Sequence, residues 1–363
     1  MSVPQYAPIF ELLRENTVET IHYGSIAVVD ARGELVAWWG DPYAVTYLRS
    51  SAKPLQLLSF LEYGGGARFD LSLKEIALMC ASHAGTDEHI AVLRGIQAKT
   101  GVQESELLCG VHPLGHKPTI EAMRQRGEDL TPNRNNCSGK HTAMLAYARM
   151  CEASGANYID PSHPVQQAIL AVFAELCSLS ADQVAVGVDG CSAPNFAVPL
   201  YNAALAFARL CDPLVGGVHP AERIAACQVV CAAMVAHPDM VGGANSFDTR
   251  LMSAAPKRLI CKGGAEGYLA IGLLPGARGN GSPALGVVIK ISDGDLGGHS
   301  RPAGDPLGRV RPAVALDILR QLDVLSPAEL KALGEYGPTF SLQNWRRLSI
   351  GIGRPCFKLH NRA

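Results

Sequence analysis

The chain has 363 residues, of which 48% are apolar and 18% are charged, and its formal net charge at pH 7 is -1. This composition supports a large buried core and argues against extended disorder. No basic surplus is present to neutralise phosphates, so nucleic acid and membrane surfaces are disfavoured as partners. The length predicts one elaborate domain or two lobes.

The N-terminal segment and the cysteines indicate a cytoplasmic protein. Glu11 and Arg14 interrupt the first apolar stretch, which argues against a secretory signal. Residues 224–236 are apolar but too few to cross a bilayer, and they predict a buried helix. The eleven cysteines are odd in number and lack the dense spacing of a secreted disulfide framework. We therefore expect free thiols in a reducing compartment.

Strand-like segments cluster near the two ends of the chain. Residues 21–30 and 34–39 predict a hairpin, and residues 258–261, 268–274 and 285–292 predict an antiparallel meander. Together these runs predict a five-stranded sheet, followed by a loop rich in glycine and proline over residues 293–312.

The middle of the chain is predicted to be mainly helical. Capping boxes begin at Ser72, Ser180 and Ser326, each with Glu or Gln three residues later. We predict an α/β (α+β) fold in one two-lobed domain. An antiparallel sheet built from both chain ends, residues 1–69 and 246–363, receives an inserted helical lobe over residues 70–245.

A candidate nucleophile lies at the only S-x-x-K sequence, from Ser50 to Lys53. Residues three apart share one helical face, so Lys53 can reach the Ser50 hydroxyl, and N–H groups at a helix start can stabilise an oxyanion. A neutral lysine then serves as the base. The alternative interpretation is an ordinary serine and lysine at an exposed helix start.

Two further segments support a catalytic site when they are considered together with this motif. Lys262 ends a predicted strand before two glycines, as in the K-T-G element of penicillin-recognising serine enzymes. Ser82 and His83 end the helix capped at Ser72, before Gly85, which suits the left-handed conformation. Taken singly, these residues are also typical of a solvated turn and of hydrogen-bonding groups at a helix end.

Two cysteines and a lysine form a fourth candidate group. Cys137 and Lys140 lie in one segment and Cys191 in another. Two thiolates can hold a soft metal, but zinc sites take four ligands and this spacing matches no C-x-x-C pattern. Spacing alone favours buried, unpaired thiols.

Taken together, five segments resemble the rhizobial-type L-asparaginases, also called class 3 asparaginases or the asparaginase II family. The segments occur in the family's order at similar separations, and the resemblance covers nearly the whole chain; they are residues 49–54, 80–85, 135–142, 187–195 and 262–267. The resemblance implies a fold similar to serine β-lactamases and glutaminases, a homodimer, and two Ser-Lys pairs. The pairs are Ser50 with Lys53 and Ser82 with Lys262.

The resemblance also implies a zinc ion held by two cysteines, a lysine and water. Cys137, Lys140 and Cys191 would then surround Zn²⁺, which reverses the interpretation of the cysteines as unpaired thiols. A lysine ligand must be neutral, so Lys140 needs a lowered pKa, which the cation supplies. Metal affinity should therefore fall in acid.

The resulting hypothesis is an L-asparaginase that releases L-aspartate and ammonia. Ser50 attacks the side-chain amide of L-asparagine, Lys53 accepts its proton, and Lys262 assists through Ser82. Water then cleaves the aspartyl ester.

Four residues are expected to bind the substrate. Arg49 suits the α-carboxylate and Asp189 the α-ammonium, while His83 and Gly263 complete the set. The open alternatives are a glutaminase or β-lactam-type amidase, a zinc amidohydrolase without a serine nucleophile, and a non-catalytic amino-acid-binding protein. The last is disfavoured because every candidate nucleophile and lysine is present.

Overall fold

The computed structural model describes residues 4–295 and 310–362, and this part of the chain combines twelve strands with fourteen α-helices. The strands are β1 (Ala7–Arg14), β2 (Thr17–Asp30), β3 (Leu35–Trp39), β4 (Val45–Tyr47), β5 (Ala185–Val188), β6 (Pro194–Pro199), β7 (Leu259–Gly263), β8 (Tyr268–Leu273), β9 (Leu285–Ile291), β10 (Phe340–Gln343), β11 (Ser349–Pro355) and β12 (His360–Asn361).

Most helices lie between β4 and β7. They are α1 (Lys53–Gln56), α2 (Leu58–Glu62), α3 (Gly65–Arg68), α4 (Leu73–Met79), α5 (Asp87–Thr100), α6 (Lys117–Arg126), α7 (Ser138–Met150), α8 (Pro164–Leu176), α9 (Leu200–Cys211), α10 (Ala221–Ala236), α11 (Pro238–Gly242), α12 (Phe247–Ala254), α13 (Val310–Gln321) and α14 (Pro327–Ala332). Short 3-10 helices cover Arg49–Ala52, Glu104–Glu106, Pro132–Arg134 and Ala181–Gln183. Within the described residues, every helix is too short or too polar to cross a membrane.

Both ends of the chain build the main sheet. Its strand order is β10-β11-β1-β2-β9-β8-β7, and β3 and β12 pair beside this path. All described pairings in the sheet are antiparallel. The predicted antiparallel sheet from both chain ends is therefore confirmed, with nine strands rather than five.

The central strands are covered on both faces. Every residue of β7, β8 and β9 is buried. Helix α9 packs against β2, β8 and β9, whereas α13 packs against β1, β9 and β11. Fully buried strands need no alternation of polar residues, which explains their continuous apolar sequences.

The predicted hairpin near the N-terminus is present as β2 and β3. The carboxylate of Asp30 accepts hydrogen bonds from the N–H groups of Arg32 and Glu34, at 2.9 and 2.8 Å. Gly33 has a φ of 92°, a conformation that glycine adopts without the strain of a side chain. This turn chemistry closes the hairpin.

The strand β1 was not predicted because its pattern does not alternate. Register shifts interrupt its pairing with β2 between Pro8 and Phe10 and between Leu12 and Leu13. Each shift moves the following side chains to the other face, so buried residues occur in adjacent pairs. A search for strict period-two alternation therefore misses this strand.

The middle of the chain is mainly helical, as predicted, but it also supplies a second sheet. Strands β5 and β6 lie within residues 70–245 and join β4 in the order β4-β6-β5. The boundaries proposed for the two lobes stay a prediction. The loop predicted over residues 293–312 lies mostly outside the described residues, and its last three residues belong to α13.

We predict that Gly286→Ala lowers the free energy of unfolding by about 3 kcal/mol, because a Cβ on this β9 residue would stand 1.8 Å from the carbonyl oxygen of Ala204 on α9. The matched control is Gly95→Ala on α5, where the nearest atom would be 3.6 Å away. That variant should be unchanged or more stable by about 0.5 to 1 kcal/mol. Urea unfolding of both proteins measures the difference, and equal stabilities would contradict the close packing of α9 on β9.

Candidate active site

One serine hydroxyl joins two buried lysines. Lys53 is the first residue of α1, Ser82 follows α4, and Lys262 lies on β7. The Nζ atoms of Lys53 and Lys262 each lie 2.9 Å from Ser82 Oγ. The lysines are 1% and 0% exposed, whereas Ser82 is partly exposed. Three of the four predicted catalytic residues therefore meet at one oxygen atom.

Lys53 bonds to Ser82 rather than to its predicted partner Ser50. Its Nζ also donates to the carbonyl oxygens of Ala81, at 2.6 Å, and Asn136, at 3.3 Å. An ammonium group has three N–H donors, and these three acceptors match them. Within the described residues no hydrogen bond joins Lys53 to Ser50. Ser50 lies in the preceding 3-10 helix and remains partly exposed.

The backbone after α4 is held in place at both ends. The predicted capping box of Ser72 and Glu75 begins the helix. The N–H of Ser82 donates to the carbonyl of Val241 at 2.9 Å. Gly85 has the expected positive φ of 66°, and a Cβ there would stand 2.9 Å from the carbonyl oxygen of Arg134. The position of the Ser82 hydroxyl therefore depends on tight backbone packing.

Burial sets the charge of Lys262. Desolvation lowers the pKa of this lysine to about 8; Asp248 opposes the shift, and the neighbouring charge of Lys53 adds to it. Near pH 8 a substantial fraction of Lys262 is consequently neutral and can accept a proton.

Sequence analysis missed the carboxylate next to Lys262. Asp248 is 2% exposed, and its Oδ2 lies 3.7 Å from Lys262 Nζ and accepts the N–H of Gly263 at 2.7 Å. Asp248 stands in the first turn of α12, where an acidic residue is expected for the helix dipole alone. No local signal in the sequence connects it to a lysine on β7.

Arg49 and Asp189, the predicted ligands of the substrate's α-groups, lie together. Arg49 Nε donates to Asp189 Oδ1 at 2.7 Å, and the Arg49 N–H donates to the side-chain oxygen of Asn195 at 3.1 Å. Arg49 has a φ of 52°, a left-handed conformation that costs energy for a residue with a side chain. The surrounding contacts hold this residue in a strained conformation directly before Ser50.

The predicted metal ligands also come together. Lys140 Nζ lies 3.1 Å from Cys191 Sγ. The neighbouring Cys191 thiol raises the pKa of Cys137, while Cys137 and Lys140 lower the pKa of Cys191 against the effect of burial. Burial disfavours the charged form of Lys140, but Cys191, Cys137 and Asp189 raise its pKa overall. These neighbours favour the thiolate form of Cys191 beside the charged form of Lys140.

The donor set suits a borderline-soft cation such as zinc. Two sulfurs and an amine meet in a buried place, and Nε2 of His141 is buried nearby without a hydrogen-bond partner among the described residues. Within residues 4–295 and 310–362, no group of three or more His, Cys, Asp or Glu side chains is arranged to hold a metal ion. The predicted set counts a lysine, which must lose its proton to bind a cation.

Two predicted substrate contacts have their polar groups bonded within the protein. His83 is 2% exposed; its Nε2 lies 2.9 Å from Ser138 Oγ, and its Nδ1 accepts the N–H of Gly85 at 3.1 Å. Gly263 donates its N–H to Asp248 and accepts from Lys262 at 2.9 Å. Both residues therefore use these polar groups to hold the backbone of the site, and their predicted contact with the substrate stays a prediction.

Asn136 connects the lysine site to the thiols. Its carbonyl accepts from Lys53, and its side-chain oxygen lies 2.9 Å from Cys137 Sγ. Its N–H donates to Nε2 of His112 at 2.9 Å. A movement of this residue would therefore change both groups at once.

A sequence model of the L-asparaginase II family matches residues 10–355 of the chain. The chain belongs to the L-asparaginase II family. It is accordingly an amidohydrolase, and an amide such as that of asparagine or glutamine is the substrate class that the family indicates. No curated protein matches the chain.

Several solved glutaminases are similar to this L-asparaginase II family member at low identity. The covalent complex of Bacillus subtilis glutaminase YbgJ with 5-oxo-L-norleucine is 11% identical, with a TM-score of 0.37, over 78% of this chain and 83% of that one. A probable glutaminase from Bacillus subtilis complexed with 6-diazo-5-oxo-L-norleucine is 11% identical, with a TM-score of 0.42, over 83% and 84%. Similarity at this level carries no argument about substrate or site residues.

We predict that kcat/KM for amide hydrolysis rises with pH and that its acid limb has an apparent pKa of about 8. The sign follows from Lys262, whose pKa is lowered to about 8, because only its neutral form accepts a proton and this form accumulates as the pH rises. Initial rates in a series of buffers at constant ionic strength measure the profile. A rate that is constant from about pH 6.5 to 9.5 would contradict a titrating lysine base.

Proposed function

We propose that this protein is an L-asparaginase that hydrolyses L-asparagine to L-aspartate and ammonia through a serine nucleophile and a covalent acyl-enzyme. The observation that carries the proposal is the Ser82 hydroxyl, 2.9 Å from both Lys53 and Lys262. Acyl transfer to a serine requires proton transfer. Two buried amines around one hydroxyl provide it without a histidine. Membership of the L-asparaginase II family supports the choice of amide.

We assign the attack to Ser50 and the proton relay to Ser82. The Ser82 oxygen is fixed between two amines, which suits an atom that passes protons in both directions. Ser50 is partly exposed, and within the described residues its hydroxyl has no hydrogen-bond partner. It lies in a 3-10 helix whose N-cap, Leu48, makes no side-chain hydrogen bond. The Arg49 N–H donates to Asn195 and the Ser51 N–H to the carbonyl of Leu48, so we assign stabilisation of the oxyanion at this helix start to the N–H of Ser50 itself.

The relay explains how Lys53 becomes a base. A proton moves from Lys53 to Ser82 while the Ser82 proton moves to neutral Lys262. Lys53 is then neutral and accepts the proton of Ser50 as the serine attacks the amide carbon. Proton transfer in the reverse direction, from Lys53 to the departing nitrogen, then releases ammonia and leaves an aspartyl ester on Ser50. Water activated by the same lysine hydrolyses this ester.

The pair of Arg49 and Asp189 supports recognition of an amino acid. An α-carboxylate bound to the guanidinium and an α-ammonium bound to the carboxylate would extend the 2.7 Å contact between them. Arg49 directly precedes Ser50, so a substrate anchored there has its side chain close to the nucleophile. This arrangement favours a free amino acid over a peptide, whose α-groups are not charged.

We further propose that Cys137, Lys140 and Cys191 hold a zinc ion. When bound, the ion supplies a fixed positive charge that helps to position the substrate. Lys140 must release its proton first, whereas the lowered pKa of Cys191 favours the thiolate form that zinc prefers.

Assembly and location complete the proposal. We propose a homodimer on the basis of the sequence resemblance, and its mass in solution is the direct test. All eleven cysteines are free thiols, which supports a cytoplasmic location because this compartment keeps thiols reduced.

We predict that the purified protein releases ammonia from L-asparagine and that Ser50→Ala lowers kcat at least about 10³-fold, because the nucleophile is lost. Ser341→Ala, an exposed residue on β10, is the matched control and should keep normal activity. Ammonia is measured with L-asparagine and L-glutamine, and cleavage of the β-lactam nitrocefin is measured in parallel by its change in absorbance.

Each alternative function has its own outcome in this assay. Release from L-glutamine alone indicates a glutaminase, and β-lactam cleavage alone indicates a β-lactam-type amidase. Turnover that survives in Ser50→Ala but is lost on chelation indicates a zinc amidohydrolase. No turnover of any substrate by the folded protein would overturn the enzymatic proposal and favour amino-acid binding.

We predict that the protein binds about one zinc ion per chain and that Cys191→Ser lowers the bound zinc at least about tenfold, because a thiolate ligand is lost. Cys177→Ser, a buried thiol on another part of the chain, serves as the control. Elemental analysis after dialysis measures the metal. Equal zinc content in both variants would refute the assigned ligands.

A further inference from the structure

Three buried charged side chains surround the backbone of Gly263. They belong to Lys262, Asp248 and Arg311. Asp248 Oδ2 lies 3.7 Å from Lys262 Nζ. A Cβ placed on Gly263 would stand 3.1 Å from Asp248 Oδ1 and 3.2 Å from a terminal nitrogen of Arg311. Because glycine has no side chain, nothing at this position separates the carboxylate from the guanidinium.

Arg311 enters this group from α13. It is completely buried, and one terminal nitrogen donates to the carbonyls of Gly264 and Tyr268, at 2.6 and 2.8 Å. Within residues 4–295 and 310–362, its Nε and other terminal nitrogen have no hydrogen-bond partner. The backbone contacts fix the guanidinium beside the Lys-Gly-Gly turn, but they do not neutralise its charge.

One carboxylate therefore lies near two basic groups in a medium of low dielectric constant; it forms an ion pair with Lys262, whereas Arg311 lies on the other side of Gly263 without a direct bond to it among the described residues. Asp248 can balance only one positive charge, and an uncompensated buried charge is costly. Arginine keeps its proton in proteins, whereas a buried lysine releases its proton readily. The group that becomes neutral is consequently Lys262.

Other charged and titratable groups also face Lys262. Lys53 approaches through Ser82 from α1, and Cys80 and Cys261 are neighbouring thiols from the end of α4 and from β7 itself. Burial raises the pKa of both thiols, which keeps them neutral. Asp295 caps α13 by accepting the N–H groups of Val310 and Arg311.

We propose that Arg311 and Asp248 are positioning residues that set the protonation state of Lys262, with Arg311 drawing on the charge of Asp248 so that this lysine stays neutral and ready to accept a proton. The inference rests on the proposed role of Lys262 in the proton relay. It adds two residues, both outside the five family segments, to the determinants of the pH range in which the enzyme works.

The charge of Lys262 can be measured without any assay of activity. In full-length protein labelled with ¹³C and ¹⁵N in lysine, the side-chain resonances of Lys262 are assigned by their loss in Lys262→Met. We expect Arg311→Met to raise the pKa of Lys262 by about one unit, because Asp248 then compensates the lysine alone. Asp248→Asn should lower it by a similar amount, and Arg311→Lys, which keeps the charge, should stay close to the parent protein.

The acid limb of the pH profile of kcat/KM should move in the same directions. At pH values below this limb, kcat/KM of Arg311→Met should therefore be about tenfold lower than that of the parent protein. Unchanged Lys262 titration in both Arg311→Met and Asp248→Asn would overturn the inference. If Arg311→Met does not fold, an unchanged pKa of Lys262 in Asp248→Asn is sufficient to overturn the inference. A parent protein with no amide hydrolysis would overturn the proposed function instead, and the titration would still report on the charge coupling.

Discussion

The arrangement of the site depends on burying two lysines around one hydroxyl. Water does not solvate Lys53 and Lys262, so the protein must provide acceptors for their protons. It does so with backbone carbonyls from the turn after α4, from the segment before α7 and from β7, and with the hydroxyl of Ser82. The sheet and the helical region are thereby tied together at the point where the chemistry is proposed.

This constraint extends to the residues behind the site. Asn136 accepts from Lys53 and contacts Cys137, so the thiol group and the lysine group share one backbone segment. His83, Gly263 and Asp248 likewise contribute through contacts within the protein. Residues whose polar groups are bonded within the protein therefore determine where the nucleophile, the lysines and the thiols lie, which is typical of a site whose geometry must be accurate.

Much of this site could be predicted from the sequence, because most of its residues lie in short motifs. Ser82 contacts Lys262, its predicted partner, and the two cysteines and Lys140 lie together, whereas the contact of Lys53 with Ser82 was not predicted. The direct contact of Ser50 with Lys53 was not found, because carbonyl acceptors elsewhere in the chain attract the lysine. Asp248 and Arg311 could not be predicted, since only the packing of α12 against β7 and the hydrogen bonds of Arg311 to the carbonyls of Gly264 and Tyr268 give them a role. Bulges in β1 similarly disrupt the alternation of buried and exposed residues, so this strand was not predicted.

The position of β1 also has a consequence for the order in which the protein can be made. This strand lies between β2 and β11, and Phe10 pairs with Pro355. During synthesis on the ribosome, one edge of β1 has no partner until the C-terminal strands emerge, although the helical region is already complete. An unpaired strand edge invites pairing with other chains. The nascent protein must therefore protect the open edge of β1 until β11 has been made.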